Sequence, residues 1–212
     1  MSSLQEYLRF FVTLTAVLDP FLAVPIFLTA TASYGVPARV ALVRVVAVTV
    51  FVVLAAAALF GDTILALVGA SLSAFRVGGG LVLLLMALAM LNAQAGGVRQ
   101  SEEEAAELES GELRGVVPLA VPLLAGPGAI STTIIAAEKG GGAPAHLAAI
   151  LGCIALVSLL TWIVLRAADA IGNRFGTTGL NIATRLLGLL LAALAIQTMA
   201  EGLKQLFPGL AA

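Results

Sequence analysis

The chain has 212 residues, of which 60% are hydrophobic and 11% charged, with a net charge of −1 and a mean hydropathy of +1.09. Soluble chains carry about 25% charged residues, so the composition excludes a soluble globular domain and reads as an integral membrane protein. With no basic excess there is no field for nucleic acid, and one cysteine (Cys153) and one histidine (His146) leave no disulfide framework, no metal-ligand cluster and no expected cofactor.

A helix crosses a bilayer with about 20 mostly apolar residues, and six stretches qualify: 8–31, 40–60, 75–91, 113–136, 147–168 and 183–203. The first is expected to stay in the mature chain. Glu6 and Arg9 precede it in place of a basic cluster, and it runs on through Asp19 with no small-residue cleavage site. Asp19 lies about 16 Å into that stretch at 1.5 Å per residue, near the midplane, and is followed by Pro20 with Pro25 close behind. A carboxylate at that depth marks a function by default. Asp before Pro is also a helix start, with Asp19 as N-cap and Pro20 at the first helical position. The two readings are compatible, because an N-cap inside a membrane exists only where a helix restarts.

Connections are short except for 96–112, which carries Glu102, Glu103, Glu104, Glu107, Glu109 and Glu112. Ser101 and Glu104 have capping-box spacing, so the segment is either a short solvated helix or a plain hydrophilic linker. The fourth stretch follows, with Pro118, Pro122 and Pro127 beside Gly126 and Gly128. Each interior proline removes a helical hydrogen bond, and irregular backbone at membrane depth survives only where protein or a watery cavity covers it. This stretch is therefore read as a second broken helix. A half-helix starting near Gly126 would aim free N–H groups at the break, and Ser131, Thr132 and Thr133 would add hydroxyls. The competing reading is that the glycines permit close packing and the hydroxyls bond back to their own helix.

Pro20-x-Leu-Ala-x-Pro25 recurs as Pro122-x-Leu-Ala-x-Pro127, 102 residues later, and Ala74-Phe-Arg76-Val-Gly-Gly79 parallels Ala183-Thr-Arg185-Leu-Leu-Gly188 at a separation of 109. The expected fold is therefore all-α: six transmembrane helices in two three-helix repeats, 1–95 and 113–212, joined by the acidic segment 96–112. Three spans per half is an odd number, so the halves must be inverted, with helices one and four broken at the midplane. That architecture belongs chiefly to secondary transporters and channels. Seven basic residues on one side against four on the other favour the seven-residue side as cytoplasmic, which puts both termini outside a multi-pass protein of the cytoplasmic membrane.

The expected substrate-binding set is Asp19, Pro20, Pro25, Pro122, Gly126, Pro127, Gly128, Ser131 and Thr132, with Asp19 also the coupling group. Arg76, Arg185, Gly79 and Gly188 are expected in structural or gating roles: the arginines against negative helix C-termini or as interfacial anchors, the glycines at close helix contacts, as for Gly78 and Gly80. Asp62 and Asp169 end spans two and five, where water reaches them. The expected partners are a small zwitterionic solute, a coupling proton or cation and the lipid bilayer, with no nucleic acid; a homo-oligomer is left open. An enzyme is not expected, because the spans hold no His–acid pair and no H-E-x-x-H motif.

Asp19-Pro with Pro25-Ile-Phe27, Phe75-Arg-Val-Gly-Gly79, the block from Pro118 to Thr132, and Thr184-Arg-Leu-Leu-Gly188 together resemble the MarC family of six-span membrane proteins. The resemblance covers essentially the whole chain. It implies a transporter of small neutral amino acids such as glycine or alanine, of the SnatA type, proton- or ion-coupled. This chain departs from that pattern at Leu22-Ala23, where the family usually has Gly-Asn, and at Ala89, where it often has Asp. A channel-like pore and a non-transporting scaffold are the alternative readings.

Overall fold

The computed structural model describes residues 3–31, 34–92 and 125–211. Among these residues the regular structure is helical: α1 (Ser3–Leu18), α2 (Pro20–Ala30), α3 (Val36–Val68), α4 (Leu72–Leu91), α5 (Pro127–Glu138), α6 (Pro144–Arg166) and α7 (Ala168–Leu206), closed by a 3₁₀ turn, Pro208–Ala211. The acidic segment 96–112, Pro118, Pro122 and the first part of the expected fourth span lie outside the described residues.

Among the described residues, four helices are long and apolar enough to cross a membrane: α3, α4, α6 and the Thr178–Leu206 part of α7. They correspond to expected spans two, three, five and six. The first expected span is instead two short helices, α1 and α2, meeting at Asp19. The fourth is represented by α5, which starts at Pro127 on an N-cap at Gly126.

Helix ends differ from the expected ones for local reasons. Pro37 sits in the first turn of α3, where its missing N–H costs nothing, so the helix begins at Val36. It runs on to Val68, where Gly69 turns left-handed (φ 72°) and the Gly69 and Ala70 N–H groups close on the Ala66 and Leu65 carbonyls. Ser71 caps α4 by accepting from the Ala74 N–H at 3.1 Å. α7 is two helical segments joined at a kink at Gly176 (φ 58°, ψ −177°): a polar one from Ala168, and the apolar span from Thr178, a few residues before the expected start near 183.

α4 and α7 pack closely and antiparallel. A Cβ on Gly80 would lie 2.9 Å from the Ala195 carbonyl oxygen and 3.0 Å from the Met199 nitrogen, and one on Gly188 would lie 3.2 Å from the Ala87 carbonyl oxygen and 3.4 Å from the Leu91 nitrogen. Small residues thus bring backbones together where lipid supplies no hydrophobic drive between helices. α3 and α6 form the second antiparallel pair, as Arg39 near the start of α3 reaches Asp169 just beyond the end of α6. The short helices fill the space between these pairs: α2 packs on α7 and α6, α5 on α4 and α3. The core holds Leu14, Leu18, Leu54, Leu83, Ile150, Ile154 and Leu191, all fully buried. Val48, Val52, Leu156, Trp162, Leu186 and Leu189 face outward, which suits a protein solvated by lipid.

Candidate functional site

The first break is built on Asp19. Its N–H donates to the Thr15 carbonyl and closes α1, and its own carbonyl accepts from the Ala23 N–H and opens α2. Between those bonds the backbone turns through φ 40°, the one positive φ outside glycine among the described residues. Aspartate tolerates that region better than most side chains, and Pro20 supplies the fixed φ of a helix start. Asp19 is fully buried, with Leu14, Val17, Leu18, Ala23 and Val24 buried around it in sequence.

At the second expected break the described residues begin at Ala125 and show the start of α5, with no charged side chain at it. Gly126 is extended (φ −69°, ψ 180°), and its carbonyl accepts from both the Ala129 and Ile130 N–H groups. Pro127 begins α5. Neither Gly126 nor Gly128 has a positive φ, so close approach is what remains of the expected reason for glycine. At Gly128 it is present: a Cβ there would lie 2.6 Å from Met86 Sδ, 3.1 Å from Leu83 Cδ2 and 3.4 Å from Val17 Cγ1. The Val17 contact sets the first turn of α5 against the last turn of α1, two residues from Asp19, so the start of α5 neighbours the break at Asp19.

The hydroxyls divide. Ser131 Oγ donates back to the Pro127 carbonyl at 2.7 Å and lies 3.2 Å from that of Gly128, as the back-bonding reading has it. Gly79 leaves room for this side chain, because a Cβ on it would be 2.9 Å from Ser131 Cβ. Thr132 and Thr133 are buried with no hydrogen-bond partner for Oγ1 among the described residues, as are the hydroxyls of Ser158 and Thr184. Buried polar groups are paired in the great majority of cases, so Thr132 and Thr133, just inside the second break, are the hydroxyls left available there.

The sequence pairs Arg76 with Arg185, and the structure separates them. Arg76 is buried, with Nη1 donating to Gln205 Oε1 at 2.7 Å near the end of α7, while Arg185 is exposed. The reciprocal backbone contacts at Gly80 and Gly188 set the two helices in register 108 residues apart, one residue off the Gly79–Gly188 alignment. In that register the position matching Arg76 is the buried Thr184. The 102-residue alignment changes too. Pro25 lies inside α2, whereas Pro127 starts α5, so the matching helix starts are Pro20 and Pro127, 107 residues apart.

At that separation further residues correspond. Gly35-x-Pro-Ala-Arg39-x-Ala recurs 107 residues later as Gly142-x-Pro-Ala-His146-x-Ala, and Asp62 recurs as Asp169. Arg39 donates through Nε to the Thr31 carbonyl at 2.9 Å, just past the end of α2, and through Nη1 to Asp169 at 3.1 Å. His146 donates through Nε2 to the Ala136 carbonyl at 2.9 Å, at the end of α5, while its Nδ1 meets the Tyr7 hydroxyl at 3.1 Å. In each half, then, a basic side chain from the first turn of a long helix caps the C-terminal end of a short one. Glu138, at the end of α5, is held above the ordinary carboxylate range by partial burial and, second, by the Asp62 carboxylate.

The sequence profile of the MarC family of integral membrane proteins matches residues 4–207. The chain is 37% identical over 204 residues to the UPF0056 membrane protein YhcE of Escherichia coli, covering 96% of this chain and 94% of the relative. It is 36% identical over 202 residues to a UPF0056 membrane protein of Methanocaldococcus jannaschii, covering 95% and 97%. To the UPF0056 membrane protein YvbG of Bacillus subtilis it is 36% identical over 200 residues, covering 93% and 94%. No solved structure matches the chain.

Proposed function

The chain belongs to the MarC family of integral membrane proteins, and on that footing we propose that it is a secondary transporter of small neutral amino acids such as glycine or alanine, coupled to a proton or another cation. The observation that carries this reading is the buried carboxylate of Asp19 at a helix break, set beside the start of α5 at Gly126–Pro127. Discontinuous helices meeting inside a bundle are where secondary transporters hold substrate and coupling ion. Asp19 suits a substrate ammonium or a proton, and the opening turn of α5, with the Thr132 and Thr133 hydroxyls, suits a carboxylate.

The six-span inverted repeat belongs to the same reading. Exchanging the halves exchanges α2 with α5, α3 with α6 and α4 with α7. Under that exchange the packing of α2 on α7 becomes that of α5 on α4, and α2 on α6 becomes α5 on α3. Equivalent long helices run antiparallel, as a two-fold axis in the membrane plane requires. Tyr7, near the start of α1, and Gln205, near the end of α7, bond to His146 and Arg76 on the face that also holds Asp62, so both ends of the described bundle share one face. The basic-residue count favours that face as the outer one, in the cytoplasmic membrane.

The deciding experiment is thermal stabilisation of the purified protein across the amino acids, followed by uptake into proteoliposomes. A ligand at 100 times its Kd stabilises the native state by about 2.7 kcal/mol, so glycine or alanine should raise the melting temperature and accumulate against a gradient. No shift and no saturable uptake with any amino acid would sink the reading. Uptake that never exceeds equilibration would instead favour a channel-like pore.

A further inference from the structure

The halves carry the same capping device at opposite ends of α3, but the device is closed by an ion pair at one end only. Arg39 and Asp62 lie 23 residues apart on one helix, about 35 Å at 1.5 Å per residue, which exceeds a hydrocarbon core of about 30 Å. At the first face Arg39 caps the Thr31 carbonyl and is anchored by Asp169, the one ion pair among the described residues. At the second face His146 caps the Ala136 carbonyl and is held by Tyr7. The counterpart of Asp169 is Asp62, and it stands exposed at the same end of α5. Its neighbour Gly61 packs so tightly on Ile134 that a Cβ would lie 2.5 Å from Ile134 Cγ1. The Asp62 charge is also felt by Glu138, two residues beyond the carbonyl that His146 caps.

We propose that Asp62 is the latch partner of His146, and that two latches, Arg39–Asp169 on one face and His146–Asp62 on the other, close in alternation. The inference rests on the transporter reading above and supplies its gates. When the halves exchange conformations, the second half takes the arrangement the first half now holds: the His146 ring turns from Tyr7 to Asp62 while Arg39 leaves Asp169. Each latch fixes the C-terminal end of one short helix to a long antiparallel pair. Releasing it frees that short helix to move relative to the break at its other end, on one face at a time. The present structure is the state with the Arg39 face latched.

Cross-linking tests this without measuring transport. In a Cys153→Ser background, which keeps a donor for the Tyr7 carbonyl, Asp62→Cys with His146→Cys and Arg39→Cys with Asp169→Cys are reacted in native membranes with a short bis-methanethiosulfonate reagent. The 62/146 pair should cross-link, and adding Asp169→Asn, which loosens the opposite latch, should raise its yield at least about fivefold, the lower end of ordinary allosteric coupling. A chain with all four cysteines should carry one cross-link per molecule. A 62/146 pair that never reacts, a yield unmoved by Asp169→Asn, or molecules bearing both cross-links would overturn the proposal. If the cysteine variants misfold, hydrogen exchange on Asp169→Asn alone decides. The last turn of α2 should exchange faster and the last turn of α5 slower, and an unchanged or faster α5 end counts against alternation. Failure here leaves amino-acid uptake untouched, while working latches without uptake would sink only the transporter reading.

Discussion

Asp19 combines two demands that rarely meet in one residue: a left-handed backbone and a carboxylate buried at the centre of a membrane bundle. Asp19→Asn separates them, because asparagine tolerates the same backbone and caps equally well but carries no charge. The variant should fold and yet lose gradient-driven accumulation in proteoliposomes. Accumulation like that of the native chain, with the same response to a pH gradient, would reduce Asp19 to a cap. The neighbouring glycines of α4 divide by what a methyl group would meet. At Gly80 it meets the backbone of α7, which has nowhere to go, so Gly80→Ala should cost about 1–3 kcal/mol; at Gly78 nothing lies within 4 Å, and Gly78→Ala should be neutral or stabilise by up to about 1 kcal/mol. Melting in detergent measures both, and equal effects would count against the packing argument. Glu138 gives a pH dependence. With its folded pKa raised above 4.5, the stability it contributes is complete at pH values below that and is lost as pH rises through the raised value. Glu138→Gln should remove that part of the slope, and Asp62→Asn should reduce it.

Among the elements, α7 is the one whose shape rests on a single residue. Gly176 holds φ 58° and ψ −177°, a region essentially closed to other residues. Nothing lies within 4 Å of where its Cβ would be, so substitution has a conformational cost and no steric one. Gly176→Ala should lower stability by about 1–3 kcal/mol or drive the polar start of α7 into line with its apolar part, which a lost Arg39–Asp169 pair would report. An unchanged melting temperature with that pair intact would show the kink to be unstrained. The break at Asp19 and the helix start at Pro127 are legible in the sequence, since Asp-Pro and Gly-Pro-Gly set helix limits by chemistry that acts within four residues. The polar helical segment that precedes the Gly176 kink is not, because a polar stretch past the membrane edge becomes helix only when the rest of the bundle supports it.

For the whole molecule, the antiparallel pairs α3–α6 and α4–α7 bring the start of α1 and the end of α7 to one face. Cysteines introduced at the exposed Leu4 and Leu206, again in the Cys153→Ser background, should both react with an impermeant maleimide on intact cells if that face is the outer one. Labelling of one position alone would break the shared-face arrangement, and labelling of neither would reverse the orientation.

Membrane class, helical build, the break at Asp19 and the helix start at Pro127 follow from the sequence by itself, because apolar content and the backbone limits of proline, glycine and aspartate act locally. The register of the repeat did not follow in the same way. In a chain that is 60% hydrophobic, a pattern of Pro, Leu and Ala can recur by composition, and it aligns Pro127 with Pro25, which lies inside α2, rather than with Pro20, which starts it. Rarer residues, Arg39 with His146 and Asp62 with Asp169, recur at the same 107-residue spacing as the helix starts Pro20 and Pro127. Only the tertiary structure decided that Arg76 is inside and Arg185 outside, that Gly80 rather than Gly79 matches Gly188, and that Asp169 rather than water pairs Arg39. Each depends on which groups meet across more than 100 residues of chain, and that proximity is set by how whole helices pack.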